Sequence, residues 1–291
     1  MIKIVAVGDT LTLNSQLSIL NQQETMKIRT TFFDNIEVLT AENISAVHAF
    51  TTRLGGVSPA PFDSLNLGLH RGDDPENVAE NYRILAAGLG FDLNKLVMSH
   101  QIHSDIVRVV THTDAKGIDH RAYPECDALI TATPGVALWI FTADCTPILL
   151  HDPVTGAVGA VHAGWRGTAA AIAAKSVEKM VECFGCDPKN IRAAIGPNIG
   201  VCCFETDADV PEAMLNAFGK AAEACIHRKN NKYYVNLKEL NALALRNAGV
   251  ENITLAAECT ACQCHRFWSH RVTKGIRGSQ GAIIVCKEAA K

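Results

Sequence analysis

Short apolar segments rich in β-branched and aliphatic residues recur along the chain, and they restrict its fold more than any other feature. Their length and composition predict β-strands at 46–53, 127–131, 136–141, 157–161, 191–195, 253–258 and 282–286, with a strand, loop and strand at 96–110. Helical spacing or capping residues predict helices at 77–89, 168–183, 211–218 and 236–249. The two kinds of element do not alternate strictly, which argues against a doubly wound fold.

Length and composition indicate a chain that can fold without a partner. Its 291 residues are 48% hydrophobic, enough to bury a large core. Residues 1–25 are polar and weakly patterned after a brief apolar start, so we interpret them as an amino-terminal appendage or as the result of a start codon assigned too early, with Met26 as the alternative. We expect one domain over residues 26–291.

The net charge restricts the class of binding partner, and the cysteine content restricts the cellular compartment. A formal net charge of -3 gives no general attraction to nucleic acid or to an anionic membrane, and therefore favours small-molecule partners. The longest apolar run, 136–141, is too short to cross a bilayer. Eleven cysteines in a long chain whose start lacks signal-peptide features favour the reducing cytoplasm over a disulfide scaffold.

Three segments place reactive side chains where a predicted strand gives way to a loop. They contain His103, Cys145 and His162, and each lies far from the others in sequence. Imidazole and thiolate are ready zinc ligands, and three protein ligands with one open position are the usual catalytic arrangement. The pattern predicts a metal site, with zinc as the expected ion, that the fold assembles from distant segments.

A candidate anion site follows His162 in the sequence. Gly164 and Gly167 flank Trp165 and Arg166, and glycines at such points allow backbone to approach a ligand. The predicted helix from Thr168 would offer unpaired N–H groups and a positive dipole end. An ordinary strand-to-helix turn capped by Thr168 explains the same residues equally well.

Taken together, the motifs resemble the YfiH family, also called the laccase-domain or polyphenol oxidase family, which includes the bacterial peptidoglycan editing factor. The resemblance covers about 47–285. Its matching segments, in order, are 51–56 (TTRLGG), 64–68 (SLNLG), 77–83 (NVAENYR), 101–103 (QIH), 127–129 (DAL), 142–147 (TADCTP), 162–167 (HAGWRG), 196–197 (GP) and 202–205 (CCFE).

The resemblance implies both a fold and an activity. The fold is of the α+β class, a sandwich of two mixed β-sheets with helices on the outer faces. The activity is that of a purine nucleoside phosphorylase acting on adenosine, inosine and methylthioadenosine with inorganic phosphate, accompanied by adenosine deaminase activity. His103, Cys145 and His162 match the family's metal-binding positions, and residues 26–291 become a YfiH-like catalytic domain.

Two departures from the family pattern lie near the carboxyl terminus. Within 267–280, His270 replaces an aromatic residue, and Ser279 stands where the family has an arginine before Gln280. This stretch therefore bears on substrate preference. A second group, Cys259, Cys262, Cys264 and His265, is denser than the family pattern; it suits either a second metal or buried thiols near a strand end.

Candidate roles follow from the chemistry. A zinc ion lowers the pKa of water to about 7 for attack on C6 of adenine, which requires a carboxylate to carry a proton. Asp144 is the first candidate and Asp127 the second; either can instead orient a metal-bound imidazole. Other pocket roles are assigned by side-chain type, with arginine for phosphate, amides for ribose or base, and aromatic rings for stacking on purine: Arg53, Arg166, Asn66, Gln101, Trp165 and Phe204.

Alternative functions use the same residues differently. His, Cys and His also resemble the ligands of a blue copper site, which suggests a copper-dependent polyphenol oxidase, although the chain has no His-x-His pair of the kind that multicopper oxidases use. A metal-free hydrolase would use Cys145 as nucleophile and His162 as base. A non-enzymatic adaptor is the remaining class, and the oligomeric state is left open.

Overall fold

A computed structural model of the chain describes residues 26–287. The predicted appendage at 1–25 lies outside the described residues. The strands, in chain order, are β1 (Ile28–Phe33), β2 (Ile36–Ala41), β3 (His48–Thr51), β4 (Leu96–Met98), β5 (Val107–Val109), β6 (Ala128–Thr131), β7 (Ala137–Thr142), β8 (Thr146–His151), β9 (Val158–Ala163), β10 (Arg192–Ile195), β11 (Glu205–Thr206), β12 (Ile226–Lys229), β13 (Lys232–Val235), β14 (Asn252–Leu255) and β15 (Gln280–Val285).

The α-helices of this part of the chain are α1 (Pro75–Leu89), α2 (Trp165–Ala169), α3 (Ile172–Phe184), α4 (Asp209–Phe218), α5 (Leu237–Asn247) and α6 (His270–Thr273). Helix α1 begins at the N-cap Asp74, whose side chain accepts from the Glu76 N–H, and ends at Gly90 in the left-handed conformation. No helix within residues 26–287 is long and apolar enough to cross a membrane.

Two six-stranded sheets dominate the described residues. The first has the order β1-β2-β3-β15-β7-β4 and is antiparallel except where β4 pairs with β7. The second has the order β14-β10-β8-β9-β6-β5, with parallel pairs at both ends. A smaller antiparallel sheet, β11-β13-β12, accompanies them. Both large sheets are mixed, which confirms the expected α+β sandwich.

The main core lies where the two large sheets face each other. Period-two alternation divides β8: Leu149 joins the core between the sheets, while Ile148 and Leu150 pack toward the helices of the second sheet. The sheets approach closely at Gly196, where an added Cβ would lie 2.3 Å from a Phe50 ring carbon. Packing at this point therefore requires glycine.

Helices cover the outer faces of both sheets. Helix α1 lies on the first sheet, and its Tyr82 ring meets the Trp139 ring of β7 edge to face at 5.4 Å. Helix α3 lies on the second sheet, where Val177 and Met180 share an apolar cluster with Ile130 of β6. Both helices thus bury one apolar stripe, as their sequence spacing predicts.

The structure corrects two predictions near the candidate site. The single helix predicted at 168–183 is two helices, because Ala171 takes a left-handed conformation (φ 56°) between α2 and α3. Helix α2 starts at Trp165 rather than Thr168 and has only five residues, so the expected helix N-terminus for an anion is wrong. The Thr168 hydroxyl instead accepts from Asn241 at 2.9 Å.

Strand β8 was not predicted from the sequence. Pro147 lies near its start, and proline in a central strand removes a ladder N–H, which argues against a strand when only the sequence is considered. In the structure, Pro147 pairs with His162 across β8 and β9, and its carbonyl oxygen accepts from Gly196 N–H at 2.9 Å. The proline therefore lies inside the sheet beside a candidate metal ligand.

Candidate metal and nucleoside site

The fold brings His103, Cys145 and His162 together. His103 follows β4 on a loop, Cys145 lies in the turn between β7 and β8, and His162 lies within β9. One ligand atom from each lies within 4.8 Å of the other two, and Cys145 Sγ is 3.9 Å from His103 Nε2. This is the arrangement that the sequence motifs predicted.

Asp127 orients two of these residues from beneath. Its carboxylate is fully buried and accepts from His162 Nδ1 at 2.8 Å and from the His103 N–H at 3.0 Å. The Ser104 N–H and hydroxyl each donate to the second oxygen at 2.7 Å. Since Nδ1 of His162 is occupied, Nε2 is the nitrogen left for a metal, as in the carboxylate–histidine pairs of zinc sites.

The charges of this group support one another. Although burial opposes it, the neighbouring His162 lowers the pKa of the Cys145 thiol to about 6. Burial likewise opposes the charged form of His162, yet the Cys145 thiolate and Asp127 raise its pKa to about 9. The pKa of Asp127 is lowered to about 2 against burial, through hydrogen bonds from His162 and Ser104. The cysteine is therefore held as a thiolate, the form that binds metal.

The donor set and the space around it fit one metal ion. A Cβ at position 164 would lie 2.9 Å from His103 Cδ2 and 3.3 Å from Cys145 Sγ, so Gly164 keeps the backbone clear of the ligands. Two imidazoles and one thiolate suit zinc, and a single copper equally by donor type. Among residues 26–287 the three donors form one compact group, which matches one ion rather than several coppers in a row.

Asp144 is held by hydrogen bonds at both carboxylate oxygens. It has a positive φ of 86° immediately before Cys145. One oxygen accepts from the Thr260 hydroxyl and the other from the Arg271 N–H, both at 2.7 Å. Asp144 thus ties the cysteine turn to the segment that contains the divergent stretch.

A cavity of about 470 Å³ opens above the three ligands, within the range of roughly 300–1,000 Å³ usual for small-molecule sites. Its lining includes five of the residues chosen from the sequence for metal or aromatic roles, together with Gln101 and Asp144: His103, Cys145, His162, Trp165, Phe204, Gln101 and Asp144. Phe141, His120 and Leu69 add apolar and aromatic surface.

Gln101 lines the cavity and also has a structural role. Its side-chain amide donates to the Phe141 carbonyl oxygen at 2.8 Å and its carbonyl accepts from the Phe141 N–H at 2.6 Å. The paired bonds fix the loop before His103 against β7. Trp165 and Phe204 also line the cavity.

The structure does not bring three other predicted residues to the cavity wall. Arg53 stacks on Trp268, with its Cζ 3.8 Å from the ring centroid, and pairs with Asp63 at 3.2 Å. Arg166 is exposed and lies over Trp165. Asn66 is fully buried and accepts from the Ser279 N–H at 2.9 Å. Its amide stabilises a loop instead of facing a ligand.

Different arginines line the cavity. Arg71 is at the exposed rim, Arg271 is beside Phe204, and Arg277 is 8% exposed. Within the described part of the chain, no carboxylate forms an ion pair with Arg277, and its Nε atom has no hydrogen-bond partner. Burial, together with the charge of Arg71, lowers the pKa of Arg277 to about 10. The charges of Asp144 and Cys145 act on this pKa in the opposite direction, but neither residue forms an ion pair with the guanidinium. A buried guanidinium without an ion-pair partner favours an anion at this point.

Sequence reasoning missed Arg277 although it singled out the stretch around it. Ser279 occupies the position where the family has arginine, and its N–H donates to Asn66 while its side chain lines the cavity. Arg277 lies two residues earlier and turns into the same cavity. The only signal for Arg277 in the sequence was the departure from the family pattern at Ser279. When a cavity lacks an arginine at one position, a nearby arginine in the sequence can supply the same positive charge.

The fold and the site define an α+β sandwich protein whose main cavity carries a His–Cys–His group with the geometry of a metal-ligand set. A family model described as "Multi-copper polyphenol oxidoreductase laccase" matches residues 47–287. The chain belongs to this family, the laccase-domain or YfiH family.

Named relatives and solved structures agree with that assignment. The chain is 42% identical to a purine nucleoside phosphorylase of Deinococcus radiodurans, covering 86% of this chain and 92% of the relative. It is 36% identical to the purine nucleoside phosphorylase YlmD of Bacillus subtilis, over 85% and 91%. The crystal structure of YlmD from Geobacillus stearothermophilus superposes with a TM-score of 0.84 at 37% identity, over 89% of this chain and 98% of that one.

Proposed function

We propose that this protein is a zinc-dependent purine nucleoside phosphorylase. It converts adenosine, inosine or methylthioadenosine and inorganic phosphate into the free base and ribose 1-phosphate. The observation that carries the proposal is the buried Arg277 guanidinium, which forms no ion pair within the described residues and lines the same cavity as the His–Cys–His group. Relatives named purine nucleoside phosphorylase add independent support.

Phosphate binds, on this proposal, to the arginines of the cavity rather than to those expected from the sequence. Arg53 already stacks on Trp268 and Arg166 on Trp165, and neither arginine lines the cavity. Arg277 and the rim residue Arg71 take over the role, with Ser279 as a neutral hydrogen-bond partner. Guanidinium groups suit this anion because they present two parallel N–H donors to it.

The purine lies between aromatic side chains. Trp165 and Phe204 remain our candidates for stacking on the base, and Phe141 extends the same surface. Gln101 orients this wall through its bonds to Phe141. Asn66 acts at a distance, by holding the Ser279 backbone through its carbonyl oxygen.

The reaction transfers the ribosyl group to phosphate. A phosphate oxygen forms the bond to C1′ while the bond from C1′ to the purine nitrogen breaks, and the electron pair of that bond leaves with the base. The hydrogen phosphate ion gives up the proton that the departing base requires. Arg277 holds the attacking anion in place, so that positioning and charge compensation are the main contributions of the protein.

Zinc is held by His103, Cys145 and His162 on this proposal, with Asp127 behind them. When bound, the ion supplies a Lewis acid at the floor of the cavity. Asp127 acts as a positioning residue, because it is fully buried and hydrogen bonds already engage both of its oxygens. We keep adenosine deamination as a second activity, since three zinc ligands are typical of nucleobase deaminases. Asp144, which lines the cavity, is our candidate for the proton transfer that this reaction requires.

Two rival chemistries keep specific support. The family description and the donor types favour a copper-dependent oxidase. The lowered pKa of Cys145 and the raised pKa of His162 are those of a nucleophile and base pair in a metal-free hydrolase.

All eleven cysteines are free thiols in the structure, and we accordingly keep the cytoplasm as the predicted compartment.

Product analysis separates these functions. Purified protein with its metals quantified is incubated with adenosine or inosine, with and without phosphate, and the products are resolved by chromatography. We expect adenine or hypoxanthine plus ribose 1-phosphate only when phosphate is present, and inosine from adenosine without it. Absence of ribose 1-phosphate from both nucleosides, with zinc bound, would overturn the proposal.

A further inference from the structure

A second group of thiols lies outside the cavity. Loops that follow two neighbouring strands bring four cysteine side chains together, and we call them the cysteine cluster: Cys202, Cys203, Cys259 and Cys262. Strands β10 and β14 are parallel neighbours, so the loops after them emerge at the same edge of the second sheet. Beyond the ends of these strands, an isolated parallel β-bridge between Asn198 and Cys259 continues the pairing of the two segments. Residues about 60 positions apart in sequence thus meet through sheet topology.

The positions of the four sulfur atoms fit the tetrahedral coordination of one metal ion. All four Sγ atoms lie within 4.8 Å of one another. Cys262 Sγ is 3.5 Å from Cys202 Sγ and 3.4 Å from Cys203 Sγ. Four thiolates at about 2.3 Å from one zinc ion would be separated by about 3.8 Å, which is close to the spacing already present.

The backbone at Gly200 donates a hydrogen bond to one thiol of the cluster and leaves space for the others. The Gly200 N–H donates to Cys259 Sγ at 3.1 Å. A Cβ on Gly200 would lie 3.1 Å from the Cys259 Cβ and 3.2 Å from Cys202 Sγ, so glycine leaves the room that the cluster occupies. The Cys259 and Cys262 pair also has the two-residue spacing common in structural zinc sites.

We propose that the cysteine cluster is a second metal site, which holds one zinc ion through four thiolates and joins the two loops. In the sequence, Cys259 and Cys262 are grouped with Cys264 and His265. The fold replaces the last two with Cys202 and Cys203, which come from the other loop.

The site would stabilise one wall of the cavity. The Cys203 carbonyl oxygen accepts from the Arg271 guanidinium at 3.0 Å, and the next residue, Phe204, lines the cavity. On the other loop, Thr260 lies between two cluster residues and donates to Asp144. An ion held by the cluster therefore acts as a crosslink behind Phe204 and Asp144, and its role is structural.

Metal counting with matched variants tests the site. Cys262→Ser changes an exposed member of the cluster, and Cys183→Ser changes an exposed cysteine outside it. After purification in zinc and reductant, we expect Cys262→Ser to bind one zinc ion fewer per chain than the wild type, and Cys183→Ser to bind as many. Equal zinc in the wild type and Cys262→Ser would overturn the proposal, whatever the occupancy of the cavity site.

A second measurement needs no variant. The zinc-loaded wild-type protein is alkylated with and without prior chelation, and modified cysteines are mapped by mass spectrometry. We expect the four cluster thiols to be protected at least tenfold until the chelator is added, while Cys183 reacts at the same rate in both samples. Equal rates for the exposed thiols Cys202 and Cys262 with and without the chelator, or a disulfide within the cluster, would contradict the site.

Discussion

One candidate metal ligand and the residue before another have backbone conformations that only glycine adopts at low cost. His103 has φ 63° and Asp144 has φ 86°. Such conformations cost on the order of 1–3 kcal/mol each and persist only where the surroundings fix them. Asp127 accepts from the His103 N–H, and Thr260 and Arg271 hold the Asp144 side chain. Local strain is thus concentrated beside the reactive side chains.

The Asp127 carboxylate should be essential for metal affinity without contacting the metal itself. In Asp127→Asn, an NH2 group replaces one carboxylate oxygen. This donor then faces other hydrogen-bond donors, either those of His103 and His162 or that of Ser104, and cannot accept from them. We expect zinc affinity at the cavity site to fall about 10–100-fold, the usual effect of losing such a partner. A competition titration with a chromophoric chelator measures it. The exposed control Asp187→Asn should bind zinc as the wild type does, and unchanged affinity in Asp127→Asn would contradict this role.

The residues of the candidate metal site could be chosen from the sequence, whereas the arginine that we propose for phosphate could not. His103, Cys145 and His162 each lie in a compact motif at a strand end, where residue type and local context coincide. Arg277 has no such motif. Its place in the cavity depends on how the segment from Trp268 to Gln280 folds back, with the Trp268 N–H donating to Gln280 Oε1. Long-range closure of this kind leaves no periodic pattern.

At the scale of elements, a buried histidine links two strands of the first sheet. The Ala41 N–H at the end of β2 donates to Nε2 of His48 at 2.8 Å, while Nδ1 faces the Ala46 carbonyl oxygen, also at 2.8 Å. Accepting from Ala41 requires an unprotonated Nε2. Burial accordingly lowers the pKa of His48 below its usual 6.5.

His48 should make part of the stability of the protein dependent on pH. Because its folded-state pKa is below the unfolded value, its contribution is complete above pH 6.5 and is lost as the pH falls below that value. We expect the free energy of unfolding to decrease between about pH 7 and 5, and to decrease less steeply in His48→Gln. Urea titrations at several pH values measure both slopes. Identical slopes in the two proteins would contradict the assignment.

The elements themselves were predicted unevenly, for identifiable reasons. Helices α1 and α5 have clear caps at Asp74 and Asn236, and their predicted positions are close to the observed ones. Strand β8 was missed because Pro147 lies in it, and the helix at 168–183 was drawn too long because Ala171 gives no sequence signal for a left-handed turn. Alanine favours helix locally, and tertiary packing overrides that preference here.

At the scale of the whole molecule, the cavity depends on both sheets being in place. Its lining comes from loops after β3, β4 and β7, from β9 of the second sheet, and from the segment leading into β15. No single segment contains the site. Binding of an anion or a nucleoside there should therefore stabilise the folded chain as a unit.

Phosphate should raise the melting temperature through Arg277. A ligand that binds only the folded state stabilises it by about 2.7 kcal/mol at 100 times its Kd. We expect this rise in the wild type and in Arg166→Met, whose altered side chain is exposed, and its loss in Arg277→Met. Differential scanning fluorimetry, comparing each variant with and without phosphate, gives the result. A full phosphate response in Arg277→Met would place the anion elsewhere.

The central claim is that phosphate, and not water, accepts the ribosyl group in this cavity. Reacting adenosine with phosphate in ¹⁸O-labelled water tests it most directly, with mass spectrometry of the sugar product. We predict ribose 1-phosphate whose C1′ oxygen carries no ¹⁸O, because that oxygen comes from phosphate. Free ribose instead of ribose 1-phosphate, formed at the same rate with and without phosphate, would show a hydrolase and contradict the account.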